Sequence, residues 1–246
     1  MFWGKIIISE FYGTHVDKML ISGGNGFLVS HLTERATKEG FEVTVLDNFS
    51  TSNRVSVPDE ATIIRGRVEE ISLQSNFEHI VNLAARPSLE DYITNPVETL
   101  LSNSVGTMML LEMVKRGKSR FFYASSSEVY GNAEVLPTPE TYYGYVSSWG
   151  ITCCYDEGKR YPEALTMTYN RKFGTDTRIQ RHFNVYGPRI RPDGLYGRVV
   201  PRFIQQALSG KDIYASRING KRYDVGMMDL WIRTFVEFAM KDRGTR

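Results

Sequence analysis

Short apolar runs alternating with amphipathic stretches set the rhythm of this chain. Met19–Ser22, Glu42–Leu46, Thr62–Arg65, His79–Leu83, Arg120–Ser125 and Thr177–His182 read as strands, being short, rich in branched and aromatic side chains, and bounded by turn residues. Helical stretches lie between most of them. Leu100, Met108, Leu111 and Val114 are spaced to share one face of a helix before the FFYAS strand, and that face is expected to be core. Strands that alternate with helices need a parallel sheet with crossovers on both faces, so the predicted class is α/β, a doubly wound parallel sheet.

After Gly187 the texture changes to GPRIRPDGLYGRVVPRF, a loop rich in glycine, proline and arginine, followed by a helix near Ile204–Leu208 and one amphipathic stretch over Leu230–Met240. The chain is therefore expected to comprise an extension over residues 1–18, the α/β sheet domain over 19–186, and a small, incomplete C-terminal lobe over 187–246. At 246 residues with 41% hydrophobic and 24% charged positions, it can bury one substantial core. A formal net charge of +2 gives no field that argues for nucleic acid, and the opening MFWGKIIISEFYGTHVDK is too interrupted by charge for a membrane span. Neither a nucleic-acid nor a membrane partner is expected. The adjacent pair Cys153 and Cys154 is poorly placed for a disulfide, which suits a reducing, cytoplasmic setting; with His15, His31, His79 and His182 scattered, no metal site is expected.

Gly23, Gly24, Asn25 and Gly26 follow the first strand directly and open a helix at Phe27. Unsatisfied N–H groups at such a helix start can meet a diphosphate, and glycines allow the close approach. Asp47 ends the next strand, roughly twenty residues on, where a carboxylate holds an adenosine ribose and repels a 2'-phosphate. NAD is favoured as the cofactor, although Arg54 lies nearby. Val29 stands where this fingerprint carries a third glycine, so crowding between helix and strand is expected, at a cost of about 1–3 kcal/mol.

Tyr155 and Lys159 are four apart, so on a helix they share a face, and a cation near a phenol favours the phenolate. Such a pair is common on solvated helices, but upstream FFYASSSEVYG sets small hydroxyl residues at the carboxyl end of a parallel strand, where open α/β sheets bind ligands. Ser126 can then share a substrate hydroxyl with Tyr155.

The phrases SGGNGF, LDNFST, NLAARPS, SSSEVYG, YDEGKR and FNVYGPR, in this order over roughly Met19 to Pro201, resemble the extended short-chain dehydrogenase/reductases, the NAD-dependent epimerase/dehydratase family with a Rossmann-type sheet. SSSEVYG with YDEGKR and GRVVPRF looks most like the UDP-glucuronate decarboxylases. The resemblance implies Tyr155 as base, Lys159 as its partner, Ser126 as hydroxyl relay and Glu128 completing the set. It implies dinucleotide contacts from Gly23, Asn25, Gly26, Phe27, Asp47, Asn48, Leu83, Ala84, Ala85, Tyr155 and Lys159. Ser88, Asn184, Arg198 and Arg222 are implied for the nucleotide-sugar, while Arg189, Arg191 and Arg202 read equally well as solvated surface.

The implied reaction is oxidation at carbon 4 of UDP-glucuronate, loss of carbon dioxide, and re-reduction to UDP-xylose. Ser127 stands where dehydratases carry an aspartate, which counts against a 4,6-dehydratase, and 4-epimerases usually lack the glutamate at Glu128. Both remain alternatives within the class. A degenerate, non-catalytic NAD-binding protein is the alternative outside it, motivated by Val29 and the short tail. His182 occupies a strand position that is usually apolar and reads as a core residue. A homodimer through the Tyr-Lys helix is implied by the resemblance.

Overall fold

The computed structural model describes residues 16–23, 26–50, 57–73, 76–190 and 199–211. The chain divides into two compact units, one of Met1–Val146 with Ile151–Arg189 and one of Ser147–Gly150 with Ile190–Arg246. In the first, six strands form one sheet: β1 (Lys18–Ser22), β2 (Glu42–Asp47), β3 (Thr62–Arg65), β4 (His79–Asn82), β5 (Arg120–Ser126) and β6 (Thr177–His182). Their order is β3-β2-β1-β4-β5-β6 and every pairing is parallel. This is the Rossmann-type, doubly wound sheet that the alternation of elements predicts.

The buried strands carry apolar side chains on both faces, which is why they read as continuous runs rather than alternating ones. Met19 and Ile21 of β1 pack with Val43, Val45, Val81 and with Val29 and Ala36 of α1 (Phe27–Lys38). Leu20, one residue out of phase, points into the opposite cluster with Leu46, Ile80, Phe121 and residues of the long helix α3 (Pro96–Gly117). Val29 is 2% exposed in the first cluster, and α1 runs unbroken past it, so a branched side chain fills this seam without ending the helix.

Two details of the expected pattern are corrected. Leu83 lies beyond β4, which ends at Asn82 because the chain there turns toward the Gly23 loop: Leu83 N–H donates to the Ser22 carbonyl at 3.1 Å. On α3, Leu111 and Val114 are fully buried but Leu100 and Met108 are 38% and 37% exposed. The buried face instead runs through small and polar residues, Thr99, Asn103, Gly106 and Thr107, and at Gly106 a Cβ would lie 2.5 Å from Val68 Cγ1. Hydrophobic spacing cannot reveal a face that closeness has made of glycine and threonine.

Helix ends follow ordinary local rules. Pro96 occupies the first turn of α3, where its missing N–H costs nothing, and Lys118 ends it in the left-handed region at φ 53°. The helix α4 (Cys153–Phe173) closes on Gly174 at φ 67°. A short helix α2 (Leu89–Thr94) precedes α3. Strand pairing begins before Met19, since the Asp17 carbonyl accepts from Glu42 N–H at 3.1 Å and Lys18 N–H donates to Glu78 Oε2 at 2.6 Å. In the second unit, α5 (Val199–Leu208) covers and extends the expected helix, with Pro201 buried; the Leu230–Met240 stretch lies outside the described residues. Among the described residues no helix is long and apolar enough to cross a membrane.

A buried polar ladder fixes the carboxyl ends of β1 and β4. Ser22 Oγ donates to Asn82 Oδ1 at 2.7 Å, Ala84 N–H donates to the same oxygen at 3.2 Å, and Asn82 Nδ2 donates to Thr107 Oγ1 at 2.9 Å. Asn82→Ala strands these partners in a site that water does not reach, so it is expected to destabilise the fold by about 1–3 kcal/mol, read as a lower midpoint in urea unfolding; an unchanged midpoint would contradict the ladder's role.

Candidate active site

The sheet order reverses between β1 and β4, and this is where open α/β sheets receive ligands. Gly23, with φ +83°, lies so near the neighbouring strand end that a Cβ there would fall 2.8 Å from the Ala84 Cα and N and the Leu83 carbonyl carbon. Gly23 N–H donates to the Leu46 carbonyl at 2.9 Å, and Gly26 caps α1 in an extended conformation with Phe27 as its first residue. Gly23, Gly26, Phe27, Leu83, Ala84 and the following Ala85 therefore gather at one edge. Asp47 closes β2 at the same edge, its Oδ1 accepting from Phe49 N–H at 2.6 Å, and Asn48 Oδ1 accepts from Ser50 N–H at 3.0 Å. These residues fit the diphosphate and ribose of a dinucleotide: only a residue without a side chain permits the cradle at Gly23, and the helix start above it offers unpaired N–H groups.

Tyr155 and Lys159 stand one turn apart on α4, both buried at 7% and 3% exposure. Lys159 Nζ lies 5.7 Å from the Tyr155 ring centre, 5.2 Å from that of Tyr123, and donates to the Ala124 carbonyl at 2.9 Å. That carbonyl belongs to β5 two residues before Ser126, so the ammonium holds α4 against the strand end that carries the hydroxyl. Ser126 Oγ accepts from Glu128 N–H at 3.2 Å, capping the 3-10 turn Ser127–Tyr130 and leaving its O–H to donate to a ligand. Glu128 is exposed on that turn.

Burial governs the charges here. It brings the Lys159 ammonium down to about 7, opposed by the Glu163 carboxylate. The Tyr123 phenol, buried without a hydrogen-bond partner, is pushed well above its ordinary value, first by burial and then by Tyr155 and Glu163. Burial likewise raises Asp156 to about 6, although Thr152 Oγ1 donates to it at 2.6 Å. His182, half-buried at the end of β6, is held below the usual imidazole range by burial and by Lys159.

Not every expected residue joins this group. Asn25, Arg198 and Arg222 lie outside the described residues, as do Arg54 and Arg191. Asn184 is exposed just beyond β6, and Ser88 is buried as the residue preceding α2, its carbonyl accepting from Tyr92 N–H at 3.1 Å. Arg189 is engaged on α1, donating to the Ser30 carbonyl at 3.1 Å and to Glu34, whose carboxyl is held down at about 2 by Lys38 and Arg189.

Two participants go beyond those the sequence motifs single out. Tyr92 stacks on Tyr155, ring centres 5.1 Å apart, and nothing in the local sequence signals it. Glu163 follows Lys159 by four residues, as Lys159 follows Tyr155, so the same spacing pointed to it. Among the described residues, no group of three or more His, Cys, Asp or Glu side chains could hold a metal ion.

The sequence pattern of the NAD dependent epimerase/dehydratase family matches residues 19–225. UDP-glucuronic acid decarboxylase 1 of Xenopus tropicalis is 41% identical over 201 residues, 80% of this chain and 47% of that protein. UDP-glucuronic acid decarboxylase 4 of Arabidopsis thaliana is 43% identical over 197 residues, covering 78% and 44%. The chain thus spans less than half the length of these relatives. Among solved structures, UDP-glucose 4-epimerase of Thermotoga maritima aligns with a TM-score of 0.71 at 29% identity, over 80% of this chain and 64% of that one. With a family match across most of its length, within which the glycine cradle and the Tyr-Lys helix both fall, the chain belongs to the NAD dependent epimerase/dehydratase family.

Proposed function

We propose that this protein, using NAD, converts UDP-glucuronate to a UDP-pentose, UDP-xylose, with release of carbon dioxide. The observation that carries the reading is the buried Lys159, one turn from Tyr155 and bonded to the strand end that carries Ser126 and Glu128. The substrate class is supported by the Xenopus and Arabidopsis relatives, which are UDP-glucuronic acid decarboxylases.

Tyr155, as the phenolate that the neighbouring ammonium stabilises, takes the proton of the sugar's carbon-4 hydroxyl and becomes the phenol. Ser126 donates a hydrogen bond to the same oxygen, fixing which hydroxyl is presented. NAD, when bound, supplies the acceptor and later the donor of the carbon-4 hydride. The carbon-4 ketone lies beta to the carboxylate, so the bond to that carboxylate breaks with its electron pair drawn toward the ketone oxygen. The enolate so formed takes a proton from solvent at carbon 5, in place of the lost carboxylate, and Tyr155 finally returns its own proton to the carbon-4 oxygen as the alcohol is restored. Glu128, open to a ligand, offers a carboxyl beside the same site.

A homodimer through α3 and α4 accompanies this reading. Its support is apolar surface on both helices, where Leu101, Met108, Met167 and Phe173 are 37–40% exposed. The two unpaired thiols, Cys153 and Cys154, support a reducing, cytoplasmic setting.

Incubation with UDP-glucuronate is expected to release carbon dioxide and a UDP-pentose, and Tyr155→Phe to lower kcat by at least about a hundredfold. Epimerised or dehydrated nucleotide-sugar would instead make the protein a different member of its family, and NAD retention with no turnover of any nucleotide-sugar would make it a non-catalytic binder.

The Lys159 proton affinity gives a stability test with a definite sign. Between pH 7 and the ordinary lysine value of 10.5, the unfolded chain binds a proton that the native state does not, so this group makes stability rise with pH there, by at most about 1.4 kcal/mol per unit. Lys159→Met removes that slope. Wild-type stability minus variant stability should therefore climb from pH 7 to 10 in urea unfolding of the NAD-free protein, and a flat difference would contradict a buried, deprotonating lysine. For the dimer, Met167→Glu is expected to yield monomers in sedimentation velocity at concentrations where the parent is dimeric; a monomeric parent would refute the interface.

A further inference from the structure

Tyr155, Lys159 and Glu163 fall at successive fourth positions of α4 and lie along one face of it. Glu163 is 14% exposed and grips Arg181 of β6 through both carboxylate oxygens, Nε to Oε1 at 2.9 Å and Nη2 to Oε2 at 2.7 Å. Its Oε1 also accepts from Ser125 Oγ at 2.5 Å. Ser125 sits between Ala124, which Lys159 holds, and Ser126, the hydroxyl of the site. Thus α4 is pinned to the end of β5 at consecutive residues, once by a cation and once by an anion. Arg181 is itself seated, its Nη1 donating to the Glu140 carbonyl at 2.9 Å and its guanidinium 4.8 Å from the Tyr130 ring centre.

We propose that Glu163 is a positioning residue for the Tyr-Lys pair: one turn from Lys159 on the same helix face, its carboxylate stands as the anion nearest that ammonium along α4 and, through Ser125 and Arg181, sets the end of β5, hence Ser126, against α4. The inference deepens the reading above and rests on it for its catalytic meaning. An ammonium surrounded by protein loses its proton readily unless an anion stands near, and Lys159 meets few such groups. From α4 it faces Tyr155 and Glu163, from β5 the neutral Tyr123, and from β6 His182, which is not an anion and has Arg181 beside it in sequence. Glu128, on the turn after β5, is exposed and acts on Asp156 instead. The charged residues that α3 brings to α4, Glu112 and Lys115, are engaged further along the helix at Tyr169 and Phe173. Glu163, one turn along the same face, is the carboxylate whose charge opposes burial in setting the proton affinity of Lys159. Its pairing with Arg181 tempers that field, because the guanidinium cancels part of the negative charge.

The two partners of this ion pair therefore act on Lys159 with opposite sign, and a purely structural bolt would not. The titration of Lys159 can be followed by NMR in protein carrying 13Cε-labelled lysine, as purified, with Lys159→Met assigning the signal. Glu163→Gln is expected to lower the midpoint by about one pH unit, a tenfold loss of proton affinity. Arg181→Met is expected to raise it or leave it in place, and Glu163→Asp, which keeps the charge, to hold it nearer the parent value than Glu163→Gln does. A midpoint unmoved or raised in Glu163→Gln, or lowered in Arg181→Met, would overturn the proposal; should Glu163→Gln fail to fold, the direction in Arg181→Met and Glu163→Asp decides it. This readout needs no turnover, so it stays separate from the identity of the substrate. Where turnover is measured, Glu163→Gln should lose kcat at alkaline pH with KM for UDP-glucuronate unchanged; a raised KM with unchanged kcat would contradict the role.

Discussion

Where the sheet order reverses, the backbones at Gly23 and Ala84 approach so closely that residue 23 has no room for a side chain, and the site depends on that contact. Beyond it β1 and β4 connect to opposite sides, leaving the start of α1 over an open edge. The Ser22–Asn82–Thr107 ladder holds the two strand ends level, so the approach is set by hydrogen bonds that must be buried to survive. Asp47 on one side and the β5 end on the other then share this edge, and a dinucleotide laid across the reversal can reach both.

On the β5 side the determining feature is electrostatic. Lys159 is buried, yet its use requires charge. Its contacts are the Ala124 carbonyl and the faces of the Tyr123 and Tyr155 rings, while the charge of Glu163, one turn along α4, favours the ammonium. The same contacts draw α4 onto β5, so the ammonium that stands beside the phenol also holds helix to strand. Packing and chemistry are here one set of interactions, which is why these positions are so legible as a phrase, Tyr155 to Lys159.

Much of this was readable from residues alone. The six strands follow from apolar runs, the parallel order from their alternation with helices, and the cofactor edge from the Gly23–Gly26 turn followed by Asp47. What escaped has physical reasons. The buried face of α3 is apolar in its second half, at Leu110, Leu111, Met113 and Val114, but its first half is Thr99, Asn103, Gly106 and Thr107, so apolar spacing pointed to Leu100 and Met108 there instead. Tyr92 reaches Tyr155 from a distant part of the chain, and no spacing rule relates the two. Glu163 lay on a rule already in use but pairs with Arg181 of β6, so its surroundings show only when that strand is in place. Arg189, weighed as an anion ligand, is engaged instead by Glu34.

The most direct test of the central claim, that the edge at Gly23 seats a dinucleotide against the Tyr155–Lys159 pair, is mass spectrometry of the nucleotide released when the purified protein is denatured. NAD should be released from the parent protein and be absent from a folded Gly23→Ala variant, whose Cβ would occupy the cradle. Release of no dinucleotide after incubation with NAD, or equal NAD from both proteins, would contradict it.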